Sequence, residues 1–240
     1  MAIKLNRLGK VFIASATLIG LVYVLGWSSL ITIQGVEITG TNQKQLVTAQ
    51  LLAGESDLVI NQPLARINPK HEENLIEDLE WIKSAKVTRN WLNRRVTVQV
   101  TPRIPVAVFS NSSSTSGEPR YLASDGSDFS SPAKFTNLAT ISLVGADSDR
   151  LKQRRIVATF VASLPLDLTA SLKNLEIKKS GEIIMATDLR KPALRINWGS
   201  GNSPEEIVVK SNVLKGLLNL PENKKITFAD LTIATSPIVK

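Results

Sequence analysis

The chain reads as an α+β protein: a single N-terminal transmembrane helix, then a β-α-α-β-β domain, then a mixed α+β domain with an extended antiparallel-type sheet. Three observations predict this. Val11 to Ile33 carries no charge and follows Lys4, Arg7 and Lys10. Val96, Val98 and Val100 alternate strictly with Thr97, Gln99 and Thr101, the period of a strand with one buried face. Ser203, Pro204 and Glu206 stand as cap, first-turn proline and N3 acid ahead of an apolar stripe, which is how a helix starts.

A helix over the uncharged run would reach roughly 30 Å or a little more at about 1.5 Å per residue, the thickness of a hydrocarbon core. Three cations precede it and no acid occurs before Glu37, so the positive-inside bias makes residues 1–10 a cytoplasmic tail and 11–30 the span. This is the topology of a single-pass type II membrane protein, with the bulk of the chain extracytoplasmic. Val11, Leu18, Leu21, Tyr23 and Trp27 are the anchor positions, the two rings suiting the headgroup level. A cleavable signal peptide is the competing reading, but its apolar region is usually shorter, and Ala14, Ser15 and Ala16 lie too near the start of the run to form a cleavage site.

Lys plus Arg number 29 against 21 Asp plus Glu, and the first 33 residues hold three cations and no anion. The rest is therefore 26 minus 21, or +5, a mild excess that suits an anionic surface such as lipid headgroups or wall polymer. It forms no dense basic stripe, which argues against nucleic acid. Cysteine is absent, so neither disulfides nor thiolate metal sites brace the outer part, which must rely on its hydrophobic core.

After the run, Ile31, Ile33, Val36 and Ile38 flank Gly35 in a β-rich stretch that ends at the turn signal Gly40-Thr41-Asn42. Asn42 and Gln45 have capping-box spacing, and Leu46, Ala49 and Leu52 with Val47 and Leu51 give a short first helix. Ala53 to Ile67 lacks a period and reads as a loop. Asn68-Pro69 then opens a second helix, with Glu72 and Glu73 at its positive end and Leu75, Ile76, Leu79 and Ile82 at helical spacing. Ala85 to Arg89, a turn from Trp91 to Arg94, and Val96 to Val100 complete this domain, at residues 31–102.

Residues 103–240 form the second domain. Val106 to Phe109 resumes an extended run, and Ser110 to Gly117 reads as a Ser-rich loop. Tyr121-Leu122 leads into a turn at Asp125-Gly126, and Ala139 to Val144 is a further strand. A helix from about Asp149 to Leu164 carries Val157, Phe160, Val161 and Leu164 on one face. Leu172 to Lys178 and Glu182 to Thr187 flank the hairpin signal Ser180-Gly181, and Ala193 to Trp198 is another strand. The helix begun at Ser203 buries Ile207, Leu214, Leu217 and Leu218, and Ile226 to Ile233 closes the chain as a strand.

The chain resembles the FtsQ/DivIB family of bitopic cell-division proteins. The resemblance rests on Ile33-Gln34-Gly35-Val36-Glu37-Ile38-Thr39-Gly40, on Leu79 through Trp91, and on Val96 to Val100 with Arg103-Ile104-Pro105-Val106-Ala107. It implies that residues 31–102 are a POTRA domain and 103–240 an FtsQ-type β domain. It also implies a place in the plasma membrane, enriched at the division septum, and FtsB/FtsL-like division proteins as partners of the β domain.

No catalytic set, cofactor motif or small-molecule site stands out. His71 is the only histidine and falls in the first turn of a helix among charged neighbours. Asp125, Asp128, Asp147 and Asp149 lack the spacing of a calcium loop, and Gly199-Ser200-Gly201 lacks the lysine of a phosphate loop. Arg89, Arg94, Arg95 and Arg103 surround Trp91 in sequence and are candidates to touch anionic lipid or peptidoglycan. The expected function is a membrane scaffold that recruits partners by strand addition, with Ile226, Thr227, Phe228, Ala229, Asp230, Leu231, Thr232 and Ile233 as the candidate edge. The alternative is a POTRA-containing component of a polypeptide transport or outer-membrane assembly system.

Overall fold

The computed structural model describes residues 7–26, 31–110, 118–200 and 203–240. The chain divides into two units, Met1–Arg103 and Ile104–Lys240.

Among the described residues the uncharged run is not one helix. Helix α1 covers Arg7–Gly26, 20 residues, and its first four end at Lys10, so 20 minus 4 leaves 16 uncharged residues. These rise about 24 Å, short of a core of roughly 30 Å. The far end of the run is used by the first unit instead. Thr32 bridges Pro63, and Ile33 is fully buried, donating to the Gln62 carbonyl at 2.9 Å and accepting from the Asn61 N–H at 3.0 Å. No helix among the described residues is long and apolar enough to cross a membrane. The transmembrane helix expected over 11–30 is thereby corrected: a uniformly apolar stretch does not show that its last residues, Thr32 and Ile33, pair with the first unit. Val11, Leu18 and Tyr23 are exposed on α1, Leu21 lies within it, and Trp27 is outside the described residues.

The first unit continues with β1 (Gly35–Thr39), α2 (Lys44–Ala53), α3 (Pro69–Glu77), β2 (Ile82–Asn90) and β3 (Arg95–Pro102). Its sheet runs β1-β3-β2, with β1 parallel and β2 antiparallel to β3. The alternation in β3 buries Val96, Val98 and Val100, and cross-strand register places Val36, Ile38 and Val87 on the same face. Ile33, Val47, Leu51, Leu64, Ile76 and Trp81 complete this core. Asn68 caps α3 by accepting from the Lys70 and His71 N–H groups. The cap expected at Asn42 is not formed. Gln43 caps α2 without a side-chain bond, and its own N–H donates to Thr41 Oγ1. Gly40 sits at φ +84°, where an added Cβ would come within 2.0 Å of the Val100 carbonyl oxygen, so β1 can turn away from β3 only at glycine.

The second unit contains β4 (Pro105–Phe109), β5 (Arg120–Ala123), β6 (Asp128–Ser130), β7 (Ala139–Leu143), α4 (Asp147–Ser163) and α5 (Leu166–Ser171). It continues with β8 (Leu172–Ile177), β9 (Ile183–Thr187), β10 (Leu194–Gly199), α6 (Pro204–Asn219), a 3₁₀ turn at Pro221–Lys225, β11 (Phe228–Asp230) and β12 (Ile238–Val239). All nine strands share one sheet, ordered β12-β11-β10-β9-β8-β7-β4-β5-β6. The sheet is mixed rather than of the expected antiparallel type, because β4 with β7, β7 with β8 and β10 with β11 pair in parallel. Parallel neighbours need long crossovers, which α4 with α5 provides between β7 and β8, and α6 between β10 and β11. Val157, Phe160 and Val161 of α4 and Ile207 and Leu214 of α6 join Leu175, Met185, Ile196 and Trp198 of the sheet in one hydrophobic cluster. Ser203 and Glu206 form the capping box of α6.

Candidate partner-binding edge and basic pole

Of the stretch Ile226 to Ile233, only Phe228–Asp230 is strand. It does not lie at the edge. β11 pairs in parallel with β10 on one side and antiparallel with β12 on the other, so β12 is the terminal strand. Ile226, Ala229 and Leu231 are buried, and the Leu231 N–H donates to the Asn197 carbonyl at 2.8 Å. Thr227 donates its N–H to the Lys240 carbonyl at 2.8 Å. Thr232 leaves the strand in a turn, its N–H bonded to Asp230 Oδ1 at 2.9 Å, and Ile233 is exposed.

The bonds between β11 and β12 fix which groups face outward. Phe228 and Lys240 exchange both backbone hydrogen bonds, at 3.1 and 3.0 Å. In an antiparallel ladder such pairs alternate, so Ile238 and Lys240 turn their backbone toward β11, and Val239 turns its N–H and C=O outward. Pro237, just before the strand, offers no N–H.

Behind this edge, Asn197 Nδ2 donates to Asp230 Oδ2 at 2.9 Å. Burial alone would raise the Asp230 pKa. Hydrogen bonds from Thr232 and Asn197, with the charge of Lys210, outweigh it and hold the carboxyl below its ordinary value. Lys210 is itself buried beneath the sheet end, its Nζ donating to the Trp198 and Ser200 carbonyls at 2.7 and 2.6 Å. Burial lowers its pKa against the opposing charges of Glu206 and Asp230.

In the first unit the β2 edge differs from what a bare strand would present. The outward N–H groups of Ala85 and Val87 on β2 donate to Glu77 and Glu73 of α3, each at 3.0 Å. That edge is closed by side chains of its own unit.

The four arginines do not form one cluster. Arg89, Arg94 and Arg95 gather at the turn between β2 and β3. The Arg89 guanidinium lies 5.4 Å from the Trp91 ring centre and donates to the Ala65 and Ile67 carbonyls. Arg103 lies beyond the far end of β3, bonded to the Glu80 and Trp81 carbonyls through its guanidinium and its N–H. The seven steps from Arg95 to Pro102 put it more than about 20 Å away along an extended strand.

Other residues weighed for chemistry have structural places. Asp128 is bonded to Arg120 and Arg154, Asp147 pairs with Arg150, and Asp125 accepts from the Ser127 N–H in a tight turn. Asp149 sits in the first turn of α4, and His71 is exposed in the first turn of α3. Among the described residues no group of three or more His, Cys, Asp or Glu could hold a metal ion. Sequence reasoning missed β12, whose two residues are too few for any period, and the exposure of Leu92. Leu92 stands beside the arginines, and its flanking asparagines were a readable sign of a sharp turn.

Residues 31–103 match the family model of the POTRA domain, FtsQ-type. No curated protein matches the chain. The β-α-α-β-β order, the three-stranded sheet and the matched stretch coincide, and an FtsQ-type POTRA domain points to a cell-division protein family. Residues 31–103 are thus an FtsQ-type POTRA domain, which supports an FtsQ/DivIB-like protein.

Proposed function

We propose that this protein is a scaffold of the division machinery that recruits FtsB/FtsL-like partners by strand addition to the β12 edge of its second unit. It works at the plasma membrane, with the N-terminus cytoplasmic, the bulk of the chain extracytoplasmic and the protein enriched at the septum. The observation that carries this reading is the outward-facing backbone of Val239 on a two-residue terminal strand, beside the exposed side chains of Ile233 and Ile238. A nine-stranded sheet that ends on so short a strand leaves an incoming segment room to pair, and alternate side chains of that segment can meet the exposed isoleucines. The match of residues 31–103 to a division-protein domain supports the setting.

A fluorescent fusion of the full chain, expressed in a strain depleted of the native protein, tests the reading. It predicts a ring at midcell and filamentation on depletion. Uniform peripheral signal with normal septation would overturn it and return the transport alternative.

A further inference from the structure

Two loops of the first unit bond to the same short segment, Ile31–Gln34. Leu64 donates to the Ile31 carbonyl, Ile33 exchanges bonds with Asn61 and Gln62, and Gln34 donates to the Arg94 carbonyl at 2.7 Å. The loop carrying Val59 and Ile60 and the turn carrying Trp91 and Leu92 therefore share one pole of the unit. Their apolar side chains stay out of the core: Leu92 is 94% exposed, Val59 and Ile60 are each 50%, and Trp91 is 42%. One exposed leucine is ordinary, but four large apolar side chains exposed on two loops that bond to one segment are not.

The turn is also held in place. Asn90 Oδ1 accepts from the Leu92 and Asn93 N–H groups, both at 3.1 Å, and Arg89 braces the Trp91 ring while bonded to the loop carbonyls of Ala65 and Ile67. Leu92 is thus presented at low entropic cost. Around it stand Arg89, Arg94 and Arg95, and neither 59–62 nor 89–95 contains a carboxylate.

We propose that this pole seats in the headgroup layer of an anionic bilayer, with Leu92 and Trp91 as the inserted tip and Arg94 and Arg95 on the lipid phosphates. The inference rests on the proposed location at a membrane, and it adds a contact that location alone does not require. An aliphatic tip with an amphipathic ring and flanking guanidiniums fits the lipid interface. A wall polymer of sugars and peptides would leave Leu92 nothing apolar to meet.

The chain has no cysteine, so Leu92→Cys creates a unique thiol for an environment-sensitive fluorophore on the full-length protein. The protein is reconstituted in phosphatidylcholine vesicles with and without phosphatidylglycerol, and Thr101→Cys, exposed at the far end of β3, is the control. We expect blue-shifted emission quenched by brominated lipid at Leu92, only with phosphatidylglycerol, and none at Thr101. Arg94→Gln with Arg95→Gln should lower the lipid-partition constant of the label about thirtyfold, since each cation near such a surface counts for roughly fivefold. A water-like Leu92 label, an equal response at Thr101, indifference to the arginine changes, or a response to isolated sacculi but not to vesicles would each overturn the proposal. Any of these can occur while the midcell ring still forms, so failure here is distinct from failure of the scaffold reading.

Discussion

Glu73 on α3 accepts the outward N–H of Val87 on β2 at 3.0 Å, and Glu77 repeats the contact two residues earlier in the strand, at Ala85. Helix and strand are thereby joined along an edge that would otherwise offer a row of donors to any passing chain. Replacing both glutamates by alanine should cost about 1.5–3 kcal/mol per lost bond, the range for hydrogen bonds to charged groups. It should also produce concentration-dependent self-association on size exclusion. Loss of stability without association would mean that α3 covers the edge by bulk alone.

Glu72 is fully buried and takes the Ser56 hydroxyl and the Asp57 N–H. It organises a loop that lacks any periodic signal. Glu72→Ala should lower unfolding free energy by roughly 2–3 kcal/mol by orphaning those donors. Glu72→Gln, which keeps an acceptor, should lose less; urea denaturation of the two variants checks the order.

Trp198 packs edge-on against Phe160, ring centres 5.2 Å apart, and joins α4 to β10 of the large sheet. Trp198→Ala should cost about 3–5 kcal/mol. The loss should appear in the second unit while the far-ultraviolet signature of the first survives.

Asp230 has a lowered pKa in the folded chain, so the unfolded chain binds more protons as acid is added. Its contribution is present above the ordinary value of 3.8 and is lost as pH falls below that toward the folded value. Wild type should lose more stability over that interval than Asp230→Asn. Parallel pH profiles would remove Asp230 from the account.

Local chemistry was the legible part of the fold. The cap at Asn68, the Ser203 capping box and the alternation of Val96, Val98 and Val100 each involve neighbours in sequence, and the structure contains all three. Pairings between distant segments were not legible. Nothing in Ala139 to Leu143 announces parallel partners on both sides, and the short helix Leu166–Ser171 is too brief to show a period. At the candidate site the same limit misplaced the edge. Ile226 to Ile233 looked terminal because it was the last apolar run, yet Pro237 starts a return that covers it with two residues. The uncharged N-terminal run was misread for a related reason, since Ile33 is apolar both as lipid-facing helix and as protein core.

The most direct test uses Val239, whose N–H points away from β11. Val239→Pro removes that donor, whereas Val239→Ala keeps it and trims a comparable side chain. The measurement is binding of purified FtsB/FtsL-like ectodomains to the full-length protein carrying each substitution, alongside its melting temperature. The account predicts that the proline variant loses binding while the alanine variant keeps most of it, with similar melting temperatures. Equal binding by both variants would contradict strand addition at this edge.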